Sequence, residues 1–333
     1  MLVEWVIYLK EKGNPMKISI VGVGNVGSIV GLFLARGGLA AEIILCARDT
    51  VDSQRRANAE ALDINHAIAF TGHNVIVRAG VTKDTVDSQI IIFAASVPSP
   101  AGMKDRMQLA RGNTTLAQEL IPSLIHMSPE AIFINVSNPL DVLTYEIIRL
   151  TGLGYRKVFG TGTLIDSARF RRCLANELDI NALDINAYVI GEHGDTQFAT
   201  LSHASTGGMR LDHVMTKLVH ENWLADAETD ARTAGFEIFN ARGYTNYAVA
   251  MAVEMIVDGI VHDRCETLPV SVRIDGFCGV RGVCLSIPCV VGHGGIKLRL
   301  EPELDATETS KFRASAQSVR KVIDDLNLDN KEI

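Results

Sequence analysis

The chain has 333 residues, of which 47% are hydrophobic, and a formal net charge of -7, so it is long enough to fold into two domains. It contains no run of five or more basic residues, which argues against nucleic acid and against an anionic membrane as partners. Its six cysteines form no Cys-x-x-Cys pair and have no histidine at ligand spacing, so we expect no metal site, no disulfide framework and a cytoplasmic protein with reduced thiols.

The first fifteen residues precede the first strand signal. The apolar segment Leu2–Leu9 is interrupted by Glu4 and is too short to span a bilayer, and no cleavage site follows it. Met16 directly precedes the first predicted strand. We therefore expect residues 1–15 to be an N-terminal arm that packs on a neighbouring subunit, or an extension upstream of the functional start.

A strand, a glycine-rich turn and a helix follow in direct succession. Residues 17–21 predict the strand, Gly22-Val-Gly24-Asn25-Val26-Gly27 forms the turn, and residues 28–35 predict the helix. In this pattern the first glycine makes the turn, the second lets a pyrophosphate approach the backbone, and the third lets helix and strand pack closely. The helix N-terminus favours the phosphates. We predict a dinucleotide site here; the alternative is a glycine-rich turn of another α/β protein.

The predicted second strand, residues 42–46, runs into Ala47-Arg48-Asp49. An acidic residue at the end of this strand usually binds the ribose hydroxyls and disfavours a 2′-phosphate. Here Ala47 directly follows the strand, and Asp49 is the nearest acid. If Asp49 reaches the ribose the cofactor is NAD, whereas an inward Arg48 would favour NADP. We predict NAD.

Alternating strands and helices continue to about residue 160. Because this alternation is typical of a parallel sheet with helices on both faces, we predict a doubly wound Rossmann domain of the α/β class over residues 16–160. The further predicted strands are 74–77, 90–94, 131–136 and 157–159, and the predicted helices are 53–68 and 113–126.

Two loops follow strands whose carboxyl ends should border a ligand. Residues 96–106, after the fourth strand, contain two prolines and several charges and suggest a lid that carries Arg106. Residues 137–139 follow the fifth strand, and the amide of Asn138 would donate to a substrate oxygen. The alternatives are a surface loop with a solvated arginine and ordinary turn chemistry at Asn138.

Acid and base residues stand together past residue 160. Asp166 and Arg169 are three apart in a helical pattern and so share one face, and His193 follows a strand predicted over residues 185–190 that ends at Gly191. A carboxylate on one imidazole nitrogen fixes the tautomer and frees the other nitrogen for proton exchange, while Arg169 could clamp a carboxylate. The alternatives are a solvated ion pair and a structural histidine.

Residues 161–333 lose the alternation and are predicted to form an α+β substrate domain. A helical stretch over 221–262 is interrupted near 241–243, strands are predicted at 268–272, 283–287 and 296–300, and an amphipathic helix ends the chain. Four residues of one helix are predicted to face the core, namely Tyr247, Met251, Met255 and Ile256.

Six motifs occur along the chain: Gly22-x-Gly24-x-x-Gly27, Ser137-Asn138-Pro139-Leu140-Asp141, Gly160-Thr-Gly-Thr163, Asp166-Ser-Ala-Arg169-Phe-Arg171, Gly191-Glu-His193-Gly-Asp195 and Gly243-Tyr-Thr245. In this order and spacing they resemble the L-lactate/malate dehydrogenase superfamily over almost the whole chain from Met16. Residues 160–163, 192–198 and 243–247 look closest to the L-lactate and L-2-hydroxyisocaproate dehydrogenase branch.

The resemblance implies reversible hydride transfer between NAD(H) and an L-2-hydroxy acid/2-oxo acid pair. It implies that His193 exchanges the proton, that Asp166 orients it, that Arg169 binds the substrate carboxylate, and that Arg106 polarises the carbonyl when the lid closes. Because family members are usually dimers or tetramers, it also implies a homo-oligomer. The other implied residues are Asn138, Thr245 and Ser99 at the substrate and Gly22, Gly24, Asn25, Val26, Gly27, Arg48, Asp49 and Asn138 at the cofactor.

Three positions differ from patterns in the family. Ser99 stands where lactate enzymes usually have Gln and malate enzymes have Arg. Because serine is small and uncharged, we expect a bulkier apolar 2-oxo acid rather than oxaloacetate. Lys104 would bind a second carboxylate only if the lid folds differently. Ala47 replaces the usual acid. Asn186 stands where enzymes regulated by a sugar bisphosphate generally carry His, so we expect no activation by fructose 1,6-bisphosphate.

Several alternatives stay open beside this interpretation. One is a malate dehydrogenase or an NADP-preferring enzyme of the same family. Another is an NAD-dependent glycosidase, which shares the architecture but needs a metal held by Cys and His near the nicotinamide. The last is a non-catalytic nucleotide-binding protein, which is disfavoured because every expected catalytic residue is present.

Overall fold

The computed structural model describes residues 16–98, 106–214 and 222–330. The predictions made for residues 1–15, Ser99 and Lys104 therefore lie outside the described residues. Across the described ranges, no helix is both long and apolar enough to cross a membrane.

The first half of the described chain builds six parallel strands with helices between them. The sheet order is β3-β2-β1-β4-β5-β6, so the chain changes direction across the sheet between β1 and β4. The central strands are continuous apolar runs because helices cover both faces. The elements are β1 (Lys17–Val21), α1 (Gly27–Arg36), β2 (Glu42–Cys46), α2 (Val51–Ile68), β3 (Ile76–Gly80), β4 (Ile90–Phe93), α3 (Arg106–Met127), β5 (Ile132–Asn135), α4 (Leu140–Thr151) and β6 (Val158–Gly160).

The second half extends this sheet with an antiparallel meander. Strand β12 pairs with β6 at Ser271 and Gly160, and β13 and β14 continue the sheet to nine strands. Short strands form two small sheets beside it. The elements are α5 (Leu164–Leu178), β7 (Ile185–Asn186), β8 (Val189–Ile190), β9 (Phe198–Ala199), β10 (Ser205–Thr206), β11 (Met209–Arg210), α6 (Leu211–Val214), α7 (Trp223–Arg242), α8 (Tyr247–Val261), β12 (Glu266–Asp275), β13 (Arg281–Gly292), β14 (Gly295–Arg299) and α9 (Ala306–Asp325).

The predicted Rossmann sheet is confirmed, with differences at element ends. The third strand lies at Ile76–Gly80 rather than 74–77, and α3 begins at Arg106, seven residues before the prediction. The predicted break near residue 242 is confirmed, because α7 ends at Gly243, which has φ +80°. The division into domains at residue 160 stays a prediction, and the main sheet runs through both parts.

The strand predicted over residues 185–190 is confirmed at both ends and is wrong in the middle, because residues 187–188 are not in a strand. The chain forms β7 and β8, which belong to different sheets: β7 pairs with β10, and β8 pairs with β9. A run of strand-forming residues does not reveal a change of partner within it, because the partners come from distant parts of the chain.

The prediction that Tyr247, Met251 and Met255 face the core is also wrong. They are 60%, 52% and 37% exposed, whereas Ile256 is fully buried. Helix α8 is apolar almost all round, so the composition does not show which face is inside. Its buried face is formed by Val249, Ala250, Val253, Ile256, Val257 and Ile260.

Candidate active site

Asp166 joins His193 and Arg169 into one cluster. Its Oδ2 lies 2.7 Å from His193 Nδ1, and its Oδ1 accepts a 3.0 Å hydrogen bond from Arg169 Nη1. Asp166 and Arg169 both lie on α5, three residues apart, so they leave one face of the helix as predicted. The carboxylate is buried at 3% exposure, whereas 22% of the His193 side chain and 18% of Arg169 reach solvent. The buried acid thus holds two groups that a ligand can reach.

The charges of Asp166 and His193 stabilise each other, whereas the charge of Arg169 lowers the pKa of His193. Burial raises the pKa of Asp166, but the charge and hydrogen bond of His193, with Arg169 and Gln197, outweigh burial and hold that pKa below its usual value. Burial lowers the pKa of His193, but the charge and hydrogen bond of Asp166 and the charge of Asp141 raise it above its usual value. The carboxylate therefore favours the protonated form of His193 and holds its Nδ1.

Two contacts hold the backbone that carries His193. Gly191 exchanges two backbone hydrogen bonds of 3.0 and 2.8 Å with Ser286 on β13. Two residues later, the backbone N–H of His193 donates to Asp141 Oδ2 at 2.7 Å. The other oxygen of Asp141 accepts a 2.6 Å hydrogen bond from the hydroxyl of Ser271 on β12. The turn is therefore fixed directly to β13 and, through Asp141 on α4, also to β12.

The glycines between β1 and α1 have separate steric roles. A Cβ on Gly22, which has φ +106°, would lie 2.6 Å from the backbone of Ala95, just beyond β4. A Cβ on Gly27 would lie 1.9 Å from the carbonyl oxygen of Gly22. Gly24 instead has no atom within 4 Å of the corresponding position. The first and third glycines thus allow close packing, and the second borders open space, which fits a pyrophosphate at the N-terminus of α1.

The same turn is tied to the second half of the chain. The side-chain amide of Asn246, at the start of α8, donates a 3.1 Å hydrogen bond to the carbonyl of Asn25, and Asn246 accepts one of 3.2 Å from Arg242. Val26 precedes α1 and gives it no side-chain cap. The cofactor turn and the helices of the second half are therefore positioned together.

The segment after β2 presents both residues considered for cofactor choice. Arg48 and Asp49 are exposed, and Ala47 is partly buried. The side-chain amide of Gln54 lies 3.3 and 3.2 Å from the carbonyl oxygens of Ala47 and Arg48, which fixes the backbone of this turn. The geometry favours neither NAD nor NADP by itself.

The base of the predicted lid is held to the loop that carries Asn138. The buried side chain of Asn113 on α3 donates to the carbonyl of Asn138 at 2.6 Å and accepts from the backbone N–H of Val97 at 2.7 Å. Asn138 itself is exposed and precedes Pro139 by a cis peptide bond. Arg106 is the first residue of α3, and its side chain lies outside the described residues.

The structure brings only part of the predicted site into direct contact. His193, Asp166 and Arg169 form the cluster, whereas within residues 16–98, 106–214 and 222–330 no hydrogen bond joins the side chains of Asn138 or Thr245 to it. Thr245 is partly buried in the short segment between α7 and α8.

Four contact residues were missed by the sequence interpretation. Two of them carried a signal: Asp141 is an acid inside a recognised motif, and Ser271 is a polar residue within an apolar strand. The other two, Asn113 and Asn246, carried none, because an asparagine within or next to a predicted helix is ordinary in a sequence.

Two family models together match nearly all of the described chain. The model of the NAD binding domain of lactate/malate dehydrogenase matches residues 16–160. The model of the alpha/beta C-terminal domain of lactate/malate dehydrogenase matches residues 163–328.

Curated relatives and a solved structure agree with these matches. The chain is 33% identical over 317 residues to an L-lactate dehydrogenase of Clostridium botulinum (strain Loch Maree / Type A3), covering 94% of this chain and 98% of the relative. It is 35% identical over 313 residues to an L-lactate dehydrogenase of Salinibacter ruber, covering 93% and 98%. The crystal structure of the minor L-lactate dehydrogenase from Enterococcus mundtii superposes with a TM-score of 0.88 at 29% identity, covering 96% of this chain and 99% of that one.

Proposed function

Since this chain belongs to the lactate/malate dehydrogenase family, we propose that it interconverts a 2-oxo acid and its L-2-hydroxy acid with NAD(H), and that its substrate carries a single carboxylate. The observation that carries this proposal is the buried carboxylate of Asp166, which holds a proton-exchanging imidazole and a guanidinium side by side. A 2-oxo acid offers the two matching groups, a carbonyl oxygen and a carboxylate, on adjacent carbons.

The residues of the cluster take complementary roles in this reaction. When bound, NADH would supply the hydride that the carbonyl carbon accepts. Negative charge then develops on the carbonyl oxygen, and His193 donates its Nε2 proton to that oxygen while Nδ1–H stays hydrogen-bonded to Asp166. Arg169 has further N–H donors beyond the one that Asp166 uses, and these bind the substrate carboxylate. Arg106 polarises the carbonyl, and Asn138 donates to the same oxygen.

The residues that would hold the cofactor lie at the change of direction in the sheet. The backbone of residues 22–27 takes the pyrophosphate, since Gly24 borders open space there. Asp49 binds the adenosine ribose, and we propose NAD over NADP for that reason. Arg48 is the competing residue, and an exposed arginine beside Ala47 is the feature that would favour NADP.

The choice of substrate is proposed to depend on residue 99, where a cationic side chain would be needed to bind a second substrate carboxylate. Ser99 is small and uncharged, so it would not bind the distal carboxylate of oxaloacetate and would leave room for a larger apolar side chain. We therefore place pyruvate, 2-oxoisocaproate and phenylpyruvate ahead of oxaloacetate. Because residue 186 is asparagine rather than histidine, we expect fructose 1,6-bisphosphate not to activate the enzyme.

A panel of reductions followed at 340 nm tests the proposal. Pyruvate, oxaloacetate, 2-oxoisocaproate and phenylpyruvate are each assayed with NADH and with NADPH, with fructose 1,6-bisphosphate and EDTA as additions. A preference for a monocarboxylic acid with NADH supports the proposal. A preference for oxaloacetate would assign the malate reaction, and a lower KM for NADPH would assign the cofactor to Arg48. Loss of activity with EDTA would favour the metal-dependent hydrolase.

Two substitutions test the assigned residues in the same assay. His193→Ala and Arg169→Ala should abolish turnover while NADH binding, measured by fluorescence, is retained. His66→Ala on α2 and Arg172→Ala on α5 are the matched controls, because both residues are exposed. An unchanged kcat in either active-site variant would contradict the assignment.

We also propose that a second copy of the chain covers the apolar surface on α7 and α8. Phe239, Tyr247, Met251 and Met255 are between 37% and 60% exposed, which is unusual for apolar side chains on neighbouring helices. Light scattering after size exclusion should give a dimer or tetramer, and Met251→Glu should shift it toward the monomer. A monomeric wild-type protein would refute this part of the proposal.

A further inference from the structure

We propose that Asp141 is a positioning residue for His193, which it holds by accepting the backbone N–H of His193 and the hydroxyl of Ser271 on its two carboxylate oxygens. This inference rests on the proposed function. Asp141 would not contact the substrate; it would act through the main chain of the residue that transfers the proton.

The contacts of Asp141 are complete and buried. The two hydrogen bonds measure 2.7 Å to the N–H of His193 and 2.6 Å to the Ser271 hydroxyl, and only 2% of Asp141 is exposed. A buried carboxylate is costly unless its oxygens are hydrogen-bonded. Here each oxygen has one donor, and each donor comes from a separate part of the fold, so the carboxylate links three elements at one point.

The alternative supports of the histidine show what Asp141 adds. The ring is fixed by Asp166 at Nδ1, and the backbone is fixed two residues earlier, where Gly191 pairs with Ser286. Without the Asp141 carboxylate, the backbone N–H of His193 would lose its hydrogen bond, which leaves the pairing of Gly191 with Ser286 two residues earlier. Small displacements matter because proton transfer needs donor and acceptor within hydrogen-bond reach.

Asp141 also acts on the imidazole through its charge. Burial raises the pKa of Asp141 to about 7, although the hydrogen bonds of Ser271 and His193 lower it. Its charge in turn contributes to the raised pKa of His193. The protonation of Asp141 and the protonation of His193 are therefore coupled, because a proton on one disfavours a proton on the other. The ionisable groups that face this pair are Asp166 and Arg169 from α5, Glu192 from the turn and Cys284 from β13.

Two substitutions separate the positioning role from the charge. In Asp141→Asn, the amide oxygen can accept the N–H of His193 while the amide nitrogen donates to Ser271, so both contacts persist without the charge. Asp141→Ala removes both contacts. We expect Asp141→Ala to lower kcat at least 10-fold with a KM for the 2-oxo acid within about 3-fold of wild type, because Arg169 is untouched. Asp141→Asn should recover kcat at acidic pH to within about 3-fold.

The decisive measurement is the titration of His193 by NMR in the full-length protein, with the pH profile of kcat beside it. The protein has nine histidines, and the His193 signal is assigned by its loss in His193→Gln. The midpoint in Asp141→Asn should move to lower pH, because a negative charge that favours the imidazolium has gone. Thermal melting and NADH binding report whether each variant is folded.

Each result decides the inference. A wild-type midpoint in Asp141→Asn would overturn the coupling of the two groups, and this variant suffices if Asp141→Ala does not fold. A folded Asp141→Ala with wild-type kcat would overturn the positioning role, as would an Asp141→Asn that is as slow as Asp141→Ala at all pH values. A wild-type protein that reduces no 2-oxo acid would refute the proposed function instead, while the NMR titration would still test the link between Asp141 and His193.

Discussion

Asp166→Asn is the substitution that tests the cluster most directly. The variant keeps the size of the side chain but removes its charge. Asp166 contacts two donors, Nδ1–H of His193 at 2.7 Å and Nη1–H of Arg169 at 3.0 Å. A carboxylate accepts both, whereas an amide has one accepting oxygen and must turn its NH2 group toward one of them. Either the imidazole loses its partner, or the arginine does.

The size of the effect follows from the charges. Two unit charges about 4 Å apart attract by about 4 kcal/mol at an effective dielectric constant of about 20. His193 is partly exposed, so solvent weakens this attraction and we take about half of it, roughly 2 kcal/mol, as the preference for the imidazolium that the carboxylate provides. Reduction requires the imidazolium. A group with a raised pKa keeps its proton to higher pH, so the loss of Asp166 should move the fall in kcat to lower pH.

The assay is the pH dependence of kcat for reduction of the preferred 2-oxo acid at 340 nm. We expect the midpoint of Asp166→Asn to move to lower pH and kcat at neutral pH to fall about 100-fold, with NADH affinity unchanged. Glu177→Gln is the matched control, because it removes an exposed carboxylate from the same helix α5. A wild-type midpoint in Asp166→Asn would refute the idea that this carboxylate sets the protonation of His193.

Three glycines give further predictions from the space around them. Gly24→Ala should raise the KM for NADH about 10-fold, because the added Cβ would occupy the space proposed for the pyrophosphate. Tm should not change, because this Cβ has no protein atom within 4 Å. An unchanged KM, measured by initial rates, would show that no phosphate lies there. Gly27→Ala should lower Tm by several degrees in a thermal melt, because its Cβ would lie 1.9 Å from a backbone oxygen; an unaltered melt would contradict the close packing of α1 against this turn. Gly235→Ala on α7 should raise the KM for the 2-oxo acid about 3- to 10-fold at nearly constant kcat. The reason is that the added Cβ would lie 3.2 Å from Arg169 Nη1 and push the guanidinium aside. Saturation curves that match wild type would argue that Arg169 does not bind the substrate carboxylate.

The features that the sequence predicted well are local or periodic. The turn of residues 22–27 lies between an apolar strand and a helix, and the pair Asp166 and Arg169 depends only on helical spacing. Both kinds of signal persist in any tertiary context. The cytoplasmic location and the lack of a nucleic-acid partner stay predictions, since they rest on composition alone.

The features that were missed depend on contacts between distant residues. The sequence predicts Tyr247 and Met251 in the core because they are apolar. Helix α8, however, has apolar residues on nearly every side, so only its packing partners decide which of them are buried. The break between β7 and β8 likewise depends on which distant strands pair with them. Side-chain periodicity within a segment contains neither kind of information.

The register between the two halves of the main sheet explains why the site could not be assembled from motifs alone. Strand β12 is joined to β6 through the pairing of Ser271 with Gly160, and this register places the hydroxyl of Ser271 on Asp141. Successive residues of a strand point to opposite faces, so a slip of one residue would bring the apolar Val270 or Val272 into register and leave one oxygen of a buried carboxylate without a donor. The backbone of His193 depends on the same carboxylate. The position of His193 therefore depends on a pairing between strands more than a hundred residues apart in the chain, which no local motif records.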